Sequence, residues 1–237
     1  MDIKWRVKKM ITCLREGKII WRRPHGLDPY FDMKSRSPEE SFTVVFDVGA
    51  NDGHSAVEFV KEFSSANIYC FEPVKSTFEE LTRNMSSLKA VKPFHLALGA
   101  SEGTAVIKFA ENNNSRCNSV SLGASSDGES TQVSTIDVFC ENNNIAHIDF
   151  LKIDTEGFDL EVLKGSEKYL QEQRISFLQV EASMNPFNTK HCKFEDFKSY
   201  LESRGYVLFG VYDQTIEHSG ENRLRFSNPV FISNKLA

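Results

Sequence analysis

From residue 43 onward, short apolar runs alternate with amphipathic segments, and this alternation limits the possible folds more than any other feature. TVVFDV (43–48) reads as a buried strand, HSAVEFVKEFSS (54–65) as an amphipathic helix, and ANIYCFEP (66–73) as a second strand ending at a proline. KSTFEELTRNMSSL (75–88) is a helix with Phe78, Leu81 and Met85 on one side, and VKPFHLALG (91–99) is a third strand. Alternation of this kind builds a parallel, doubly wound sheet with helices on its faces.

The second half continues the pattern. GTAVIKFA (103–110) is a strand, and TQVSTIDVFCENNN (131–144) is a short strand leading into a short helix. Between them the stretch 111–130 is rich in Asn, Ser and Gly and has no period. A loop of that length in a compact domain is usually functional or disordered, and this one is a candidate to close over a substrate. IDFLKID (148–154) is a fourth core strand, and EGFDLEVLKGSEKYLQEQ (156–173) is one helix with Phe158, Val162 and Leu163 inward. RISFLQVEA (174–182) is a fifth strand, and FEDFKSYLESRG (194–205) is a helix ended by Gly205. YVLFGVYD (206–213) and NPVFIS (228–233) are the last two strands. No helical face lies between them, and a parallel crossover normally needs a covering helix, so the last strand is predicted to be antiparallel.

The head of the chain differs. Residues 1–20 read as a helix with Ile3, Val7, Met10, Ile11 and Leu14 on one face and basic residues on much of the other. Such a helix either packs on its own domain or a second subunit, or lies on an anionic membrane surface. Residues 21–40 read as an irregular connector broken by Pro24, Pro29 and Pro38. The chain divides accordingly into a basic helix and connector (1–40) and an alternating strand–helix domain (41–237). The segment through Arg36 carries +6, so with a whole-chain charge of −5 the remainder carries −11. An acidic body argues against a nucleic-acid partner. The 5 cysteines form no CxxC pair, which argues against a zinc site or disulfide framework. Free thiols fit a cytoplasmic protein. No apolar stretch reaches the length of a membrane span, and the N-terminus lacks a signal-peptide core.

VFDVGANDG (45–53) breaks the first strand with Asp47, Gly49, Asn51, Asp52 and Gly53. In a doubly wound sheet, ligands bind at the carboxyl ends of the strands. Asp47, Glu72, Asp154 and Glu181 all fall at such ends, and the Ala97–Gly99 turn falls at another. Glu72 lies 23 positions after Gly49, where an acidic residue can accept both ribose hydroxyls of an adenosine. A dinucleotide fingerprint would need further glycines at 51 and 54, which are Asn51 and His54. Asp52 at the helix N-terminus would also repel a pyrophosphate. A ligand without phosphates fits better, and S-adenosyl-L-methionine is one. Asp47 and Asp154 would favour its cationic groups, while the turn amides receive its carboxylate.

VFDVGANDGHS, YCFEP, HLALGASEG and FLKIDTEGFDLEVLKG, in that order, resemble the FkbM family of S-adenosylmethionine-dependent methyltransferases over roughly residues 43–235. The resemblance implies a class I methyltransferase, Rossmann-like α/β fold: seven strands with the last antiparallel, here with an N-terminal helical extension. It places Asp47, Gly49, Ala50, Asn51 and Gly53 at the methionine end of the cofactor and Glu72 on the ribose. Leu98 and its neighbours line the adenine, and Asp154 closes the site beneath the sulfonium. It implies methylation of hydroxyl oxygens on a sugar, glycan or natural product. A DTEG sequence after the fourth strand, in place of an amino-methylating NPPY or DPPY, agrees with an oxygen acceptor.

An alcohol acceptor must lose a proton, so a general base near it helps. Asp154, Glu156, Glu181, His95 and Lys152 are the candidates. Glu156 either reaches the acceptor or complements a helix dipole. Lys152, inside an apolar strand, either pairs with a carboxylate or acts in catalysis. His95 reads as a structural histidine. Asp154, Glu156 and Glu181 have oxygen ligands suited to a divalent cation, which the resemblance does not require. Phe187 and His191 offer a second acceptor wall. The rival functions are a nicotinamide-dependent oxidoreductase, a non-catalytic cofactor-binding module, and a methyltransferase of protein or nucleic acid.

Overall fold

The structure, a computed structural model, describes residues 24–37, 42–108, 119–122, 128–217 and 221–237. The basic helix at 1–20 and most of the polar stretch 111–130 lie outside the described residues.

The main sheet is built from β1 (Val44–Val48), β2 (Asn67–Phe71), β3 (Val91–Phe94), β8 (Ile148–Ile153), β9 (Ile175–Val180), β10 (Ala182–Ser183), β11 (Tyr206–Ile216) and β12 (Leu224–Ser233). Across the sheet the order is β3-β2-β1-β8-β9-β12-β11, and the two-residue β10 continues β9 alongside β12. β3, β2, β1, β8 and β9 are mutually parallel. β12 runs antiparallel to both β9 and β11, as the helix-free connection before it predicted. Strand order reverses between β1 and β8, which opens a crevice at their carboxyl ends.

Both faces of this sheet are covered, so its central strands are continuously apolar: every residue of β8 and β9 is buried. Successive residues serve opposite faces. Phe46, Leu151 and Leu178 pack with α4 (Ile136–Asn142), α5 (Asp159–Lys164), α6 (Glu167–Gln171) and α7 (Phe194–Glu202). Val45, Phe150 and Phe177 pack with α1 (Pro29–Arg36), α2 (His54–Glu62) and α3 (Lys75–Met85).

Three readings of the sequence need correction. The connector is not irregular throughout, because α1 forms in it. Pro29 sits at the first helical position, where its missing N–H costs nothing, and Asp28 caps the helix by accepting from Phe31 N at 3.1 Å. Its Tyr30 and Met33 are buried against Phe59, Phe63 and Phe150. The run 91–99 is not one strand. Pro93 limits β3 to the sheet edge, the chain leaves at His95, and β4 (Ala97–Leu98) pairs elsewhere. The run 156–173 is two short helices, α5 and α6. A side chain at Gly165 would place its Cβ 2.0 Å from Gly99 O, so the backbone crossing there breaks the helix.

β4 belongs to a second sheet of order β4-β7-β5-β6, formed with β5 (Gly103–Lys108), β6 (Ser119–Leu122) and β7 (Glu129–Ser134). β5 and β7 were legible as strands, but β4 was read as the end of the third strand, β6 falls in the stretch 111–130 read as a loop without period, and the separation of this sheet from the main one was not legible. Ile107 carries this small sheet to the wall of the crevice. Among the described residues no helix is long and apolar enough to cross a membrane.

Candidate active site

A cleft of about 350 Å³ opens at the carboxyl ends of β1, β2 and β8. Its floor is the turn after β1. Gly49 has φ +81°, and a Cβ there would lie 2.0 Å from Asp154 O, so both its conformation and its neighbour require glycine. That close approach lets Asp154 N donate to Val48 O at 2.9 Å, tying the ends of β1 and β8 together. Asn51 also has a positive φ of 49°, a conformation that asparagine tolerates better than most residues.

Glu72 ends β2, and its carboxylate is almost wholly buried. Oε2 accepts from Asn51 N at 3.0 Å and Oε1 from Val74 N at 2.9 Å, so each oxygen keeps acceptor capacity toward the cleft it lines. Burial pushes its carboxyl up to about 7, against the pull of the two main-chain donors. Phe71, Leu96, Leu98, Ile107 and Phe158 form an apolar wall beside it. Gly49, Ala50, Asn51, Lys152, Asp154, Glu156 and Glu181 line the rest.

Lys152 lies beneath this polar end. Its Nζ is 3.1 Å from Asp154 Oδ2 and 3.4 Å from Asp47 Oδ1. Burial opposes its charge, but the two carboxylates outweigh burial and hold the ammonium above the ordinary lysine range. Asp47 has no solvent exposure, and its Oδ2 has no hydrogen-bond partner. Burial pushes its carboxyl up, against Lys152. Asp47 does not line the cleft; it anchors Lys152 from behind the wall.

The turn after β8 is held from below. Asp159 Oδ2 accepts from Thr155 Oγ1 at 2.8 Å and from Thr155 N at 3.3 Å, while burial raises its carboxyl to about 6. Glu156 and Gly157 have positive φ of 56° and 101°, which turns Glu156 toward Lys190 Nζ, its ion-pair partner. Glu181 Oε2 is 2.8 Å from His191 Nε2. Glu156, Glu181 and His191 thus form a cluster whose ligand atoms lie within 4.8 Å of one another.

The remaining candidates stand apart. His95 Nε2 is 3.0 Å from Pro73 O and its ring stacks on Phe78, outside the cleft lining. His54 is exposed on the first turn of α2, at the cleft edge. Gly53, with φ +92°, is the N-cap of α2 and lies behind the wall against Leu81 and Met85. Asp52 Oδ1 accepts from His54 N at 3.3 Å, so a carboxylate already occupies the first turn where a pyrophosphate would bind. Lys190 and Asn188 were missed in the sequence; the Asn188–His191 spacing, three apart, was the available signal.

A sequence profile described as the methyltransferase FkbM domain matches residues 47–208. The chain belongs to the FkbM methyltransferase family. The hexuronic acid methyltransferase AglP of Haloferax volcanii is 30% identical over 154 residues, covering 62% of this chain and 59% of that protein. The 2-O-methyltransferase NoeI of Sinorhizobium fredii is 23% identical over 160 residues, covering 60% of this chain and 64% of that one. The FkbM chain therefore spans about three fifths of the length of these curated relatives. The solved METTL16 methyltransferase domain superposes with a TM-score of 0.51 at 10% identity, over 85% of this chain and 64% of that chain. This likeness shows the class I methyltransferase fold. The cofactor of the FkbM family is S-adenosylmethionine, not a nicotinamide dinucleotide.

Proposed function

We propose that this protein transfers a methyl group from S-adenosylmethionine to a hydroxyl oxygen of a sugar or a related small molecule. The observation that carries the reading is the graded chemistry of one cleft. A buried carboxylate (Glu72) and an apolar wall (Leu98, Phe158, Ile107) suit an adenosine. The Gly49–Asn51 turn and Asp154 suit a zwitterionic amino acid beside a sulfonium.

Bound there, the cofactor would supply an electrophilic methyl group whose sulfur is already a good leaving group, so the protein's work is to position and to handle one proton. We assign Glu72 to the ribose hydroxyls. Gly49, Ala50 and Asn51 shape the methionine end, Gly53 starts the helix behind it, and Leu98 sits against the adenine. Asp154 balances the cofactor's positive charge. Lys152 holds Asp154 and Asp47 in place; a doubly paired ammonium has no lone pair to accept a proton. Glu156 borders the acceptor side.

At the acceptor end the carboxylates of Glu156 and Glu181 stand against the ammonium of Lys190. That balance favours a neutral hydroxyl acceptor over a uronate. The relatives named above, a hexuronic acid methyltransferase and a 2-O-methyltransferase, support an oxygen atom on a sugar. Free, buried Cys70 and Cys140 support a reducing, cytoplasmic setting.

Calorimetric titration with S-adenosylmethionine and S-adenosylhomocysteine, run beside NAD, tests the cofactor. Methyl incorporation into a panel of methyl glycosides and methyl uronosides then tests the acceptor. Micromolar binding of the first two and methylation of a neutral glycoside is the expected result. A folded sample that binds neither sulfur compound sinks the reading.

A further inference from the structure

The acceptor end holds a chain of polar contacts that cofactor binding does not require. It runs from Glu181 at the end of β9 to His191 and Asn188 in the loop before α7. His191 is buried, its ring packed 5.2 Å from that of Phe226 on β12, so both of its nitrogens answer to protein partners. Nε2 is 2.8 Å from Glu181 Oε2, and Nδ1 is 2.8 Å from Asn188 Nδ2.

The backbone decides where the imidazole proton lies. Asn188 Oδ1 accepts from Lys190 N at 3.1 Å, and Asn188 Nδ2 donates to Arg225 O at 3.0 Å. A main-chain N–H can only donate and a main-chain carbonyl can only accept, so the amide cannot be flipped without losing both bonds. It therefore presents an N–H to Nδ1. Nδ1 carries the lone pair, and Nε2 carries the proton that it donates to Glu181.

This tautomer separates two uses of the cluster. A histidine that binds a metal directs its lone pair at the ion and donates its other N–H to a second partner. Here the nitrogen facing the carboxylates is the protonated one, and Lys190 already neutralises Glu156. The arrangement suits proton transfer rather than a cation.

Resting on the methyltransferase reading above, we propose that Glu181 is the general base of the reaction, and that His191 and Asn188 are positioning residues that hold its carboxylate. His191 occupies Oε2, which leaves Oε1 for the acceptor on the cleft side. In the step, the acceptor oxygen forms its bond to the transferred methyl carbon. The methyl–sulfur bond breaks with its electron pair left on sulfur, and the hydroxyl proton passes to Glu181 Oε1. The products are a methyl ether, S-adenosylhomocysteine and a protonated carboxyl that returns its proton to water. The charged groups around Glu181 are Asp154 and Glu156 from the turn after β8 and, behind them, Asp159 at the start of α5, together with Lys190 and His191 from the loop before α7.

Nitrogen-15 NMR of the imidazoles reads the first half of the proposal on the protein with no cofactor added. The expected spectrum shows His191 protonated at Nε2 and bare at Nδ1. The opposite tautomer, or micromolar calorimetric binding of manganese that Glu156→Gln abolishes, overturns the proposal in favour of a cation site. The second half is read on whichever methyl glycoside the screen above finds to be methylated. Glu181→Gln should lower kcat by about 10²–10⁴-fold with S-adenosylhomocysteine affinity unchanged, and Glu181→Asp should recover part of the loss. His191→Gln should lower kcat more than it raises KM and displace the acid limb of the pH–rate profile. Glu181→Gln with undiminished kcat and intact cofactor binding refutes the base while leaving the methyltransferase standing. Loss of cofactor binding by the wild-type protein, or no methylated glycoside, removes the reading on which the proposal rests.

Discussion

The two ends of the cleft are built differently. The cofactor end is made of strand ends and main chain: Gly49 packs on Asp154 O, Glu72 is bonded to Asn51 N and Val74 N, and Lys152 bridges Asp47 and Asp154 across β1 and β8. The proposed acceptor end is made of side chains on turns and a long loop, with Glu156 on Lys190 and Glu181 on His191, while Phe187 of the same loop, outside the cleft lining, stands 69% exposed. Binding geometry at the first end is inseparable from the sheet. Geometry at the second can change without unfolding anything.

If that contrast is correct, substitutions at the first end cost stability and binding together. Lys152→Met should be the most damaging, because it strands Asp47 and Asp154 without their cation; breaking such a buried pair costs about 3–5 kcal/mol. Urea denaturation measures it, and adding Asp47→Asn should restore part of the loss. Gly49→Ala comes next, at about 2–4 kcal/mol from left-handed strain and the shift its Cβ forces on Asp154 O, with cofactor affinity falling in parallel. A Gly49→Ala protein of wild-type stability would break the comparison outright.

Glu72→Gln sharpens it. Removing a charged acceptor from two ribose hydroxyls should weaken S-adenosylhomocysteine by about 1.5–3 kcal/mol in calorimetry, with the fold retained. Glu72 also sets a pH dependence whose sign is fixed. Its carboxyl is raised from 4.5 to about 7, so between those values the folded state binds more protons than the unfolded one. Its contribution therefore lowers stability as pH rises through that window. Cofactor affinity should move the other way, rising as the carboxylate ionises near pH 7, and Glu72→Gln should flatten that profile. The smallest effect belongs to the acceptor end. Phe187→Ala should leave stability within about 0.5 kcal/mol and cofactor affinity unaltered, with any change confined to the acceptor KM. A thermal shift as large as that of Gly49→Ala would erase the distinction between the two ends.

The same contrast explains what could be read from the chain before its structure. The strand ends were legible because burial writes itself as apolar runs, and each run stops where a polar residue meets the crevice. Glu72, Asp154 and Glu181 were found that way, whereas Asp47, read as meeting the crevice, lies inside β1 behind its wall; the antiparallel last strand followed from a connection without a helical face. Local chemistry was misread where one residue type serves two purposes. Pro29 looked like a breaker and is a helix start, and Gly165 looked like a helix residue and marks a backbone crossing.

The motifs of the sequence carried the resemblance to the FkbM family, and the sequence by itself determined the parallel sheet, its covering helices and the glycine turn. These three depend on periodicity and spacing, which are one-dimensional properties. Only the tertiary structure decided that Asp47 stands behind the wall as an anchor, that Lys152 is held by two carboxylates, and that a second sheet carries Ile107 to the cleft. It alone brought His191 to Glu181 and oriented Asn188 between two backbone groups. The physical reason is that ion pairs and hydrogen bonds act over a few ångströms between residues far apart in the chain. Asp47 and Lys152, for instance, are separated by 105 positions, and no local pattern records which side chains will meet.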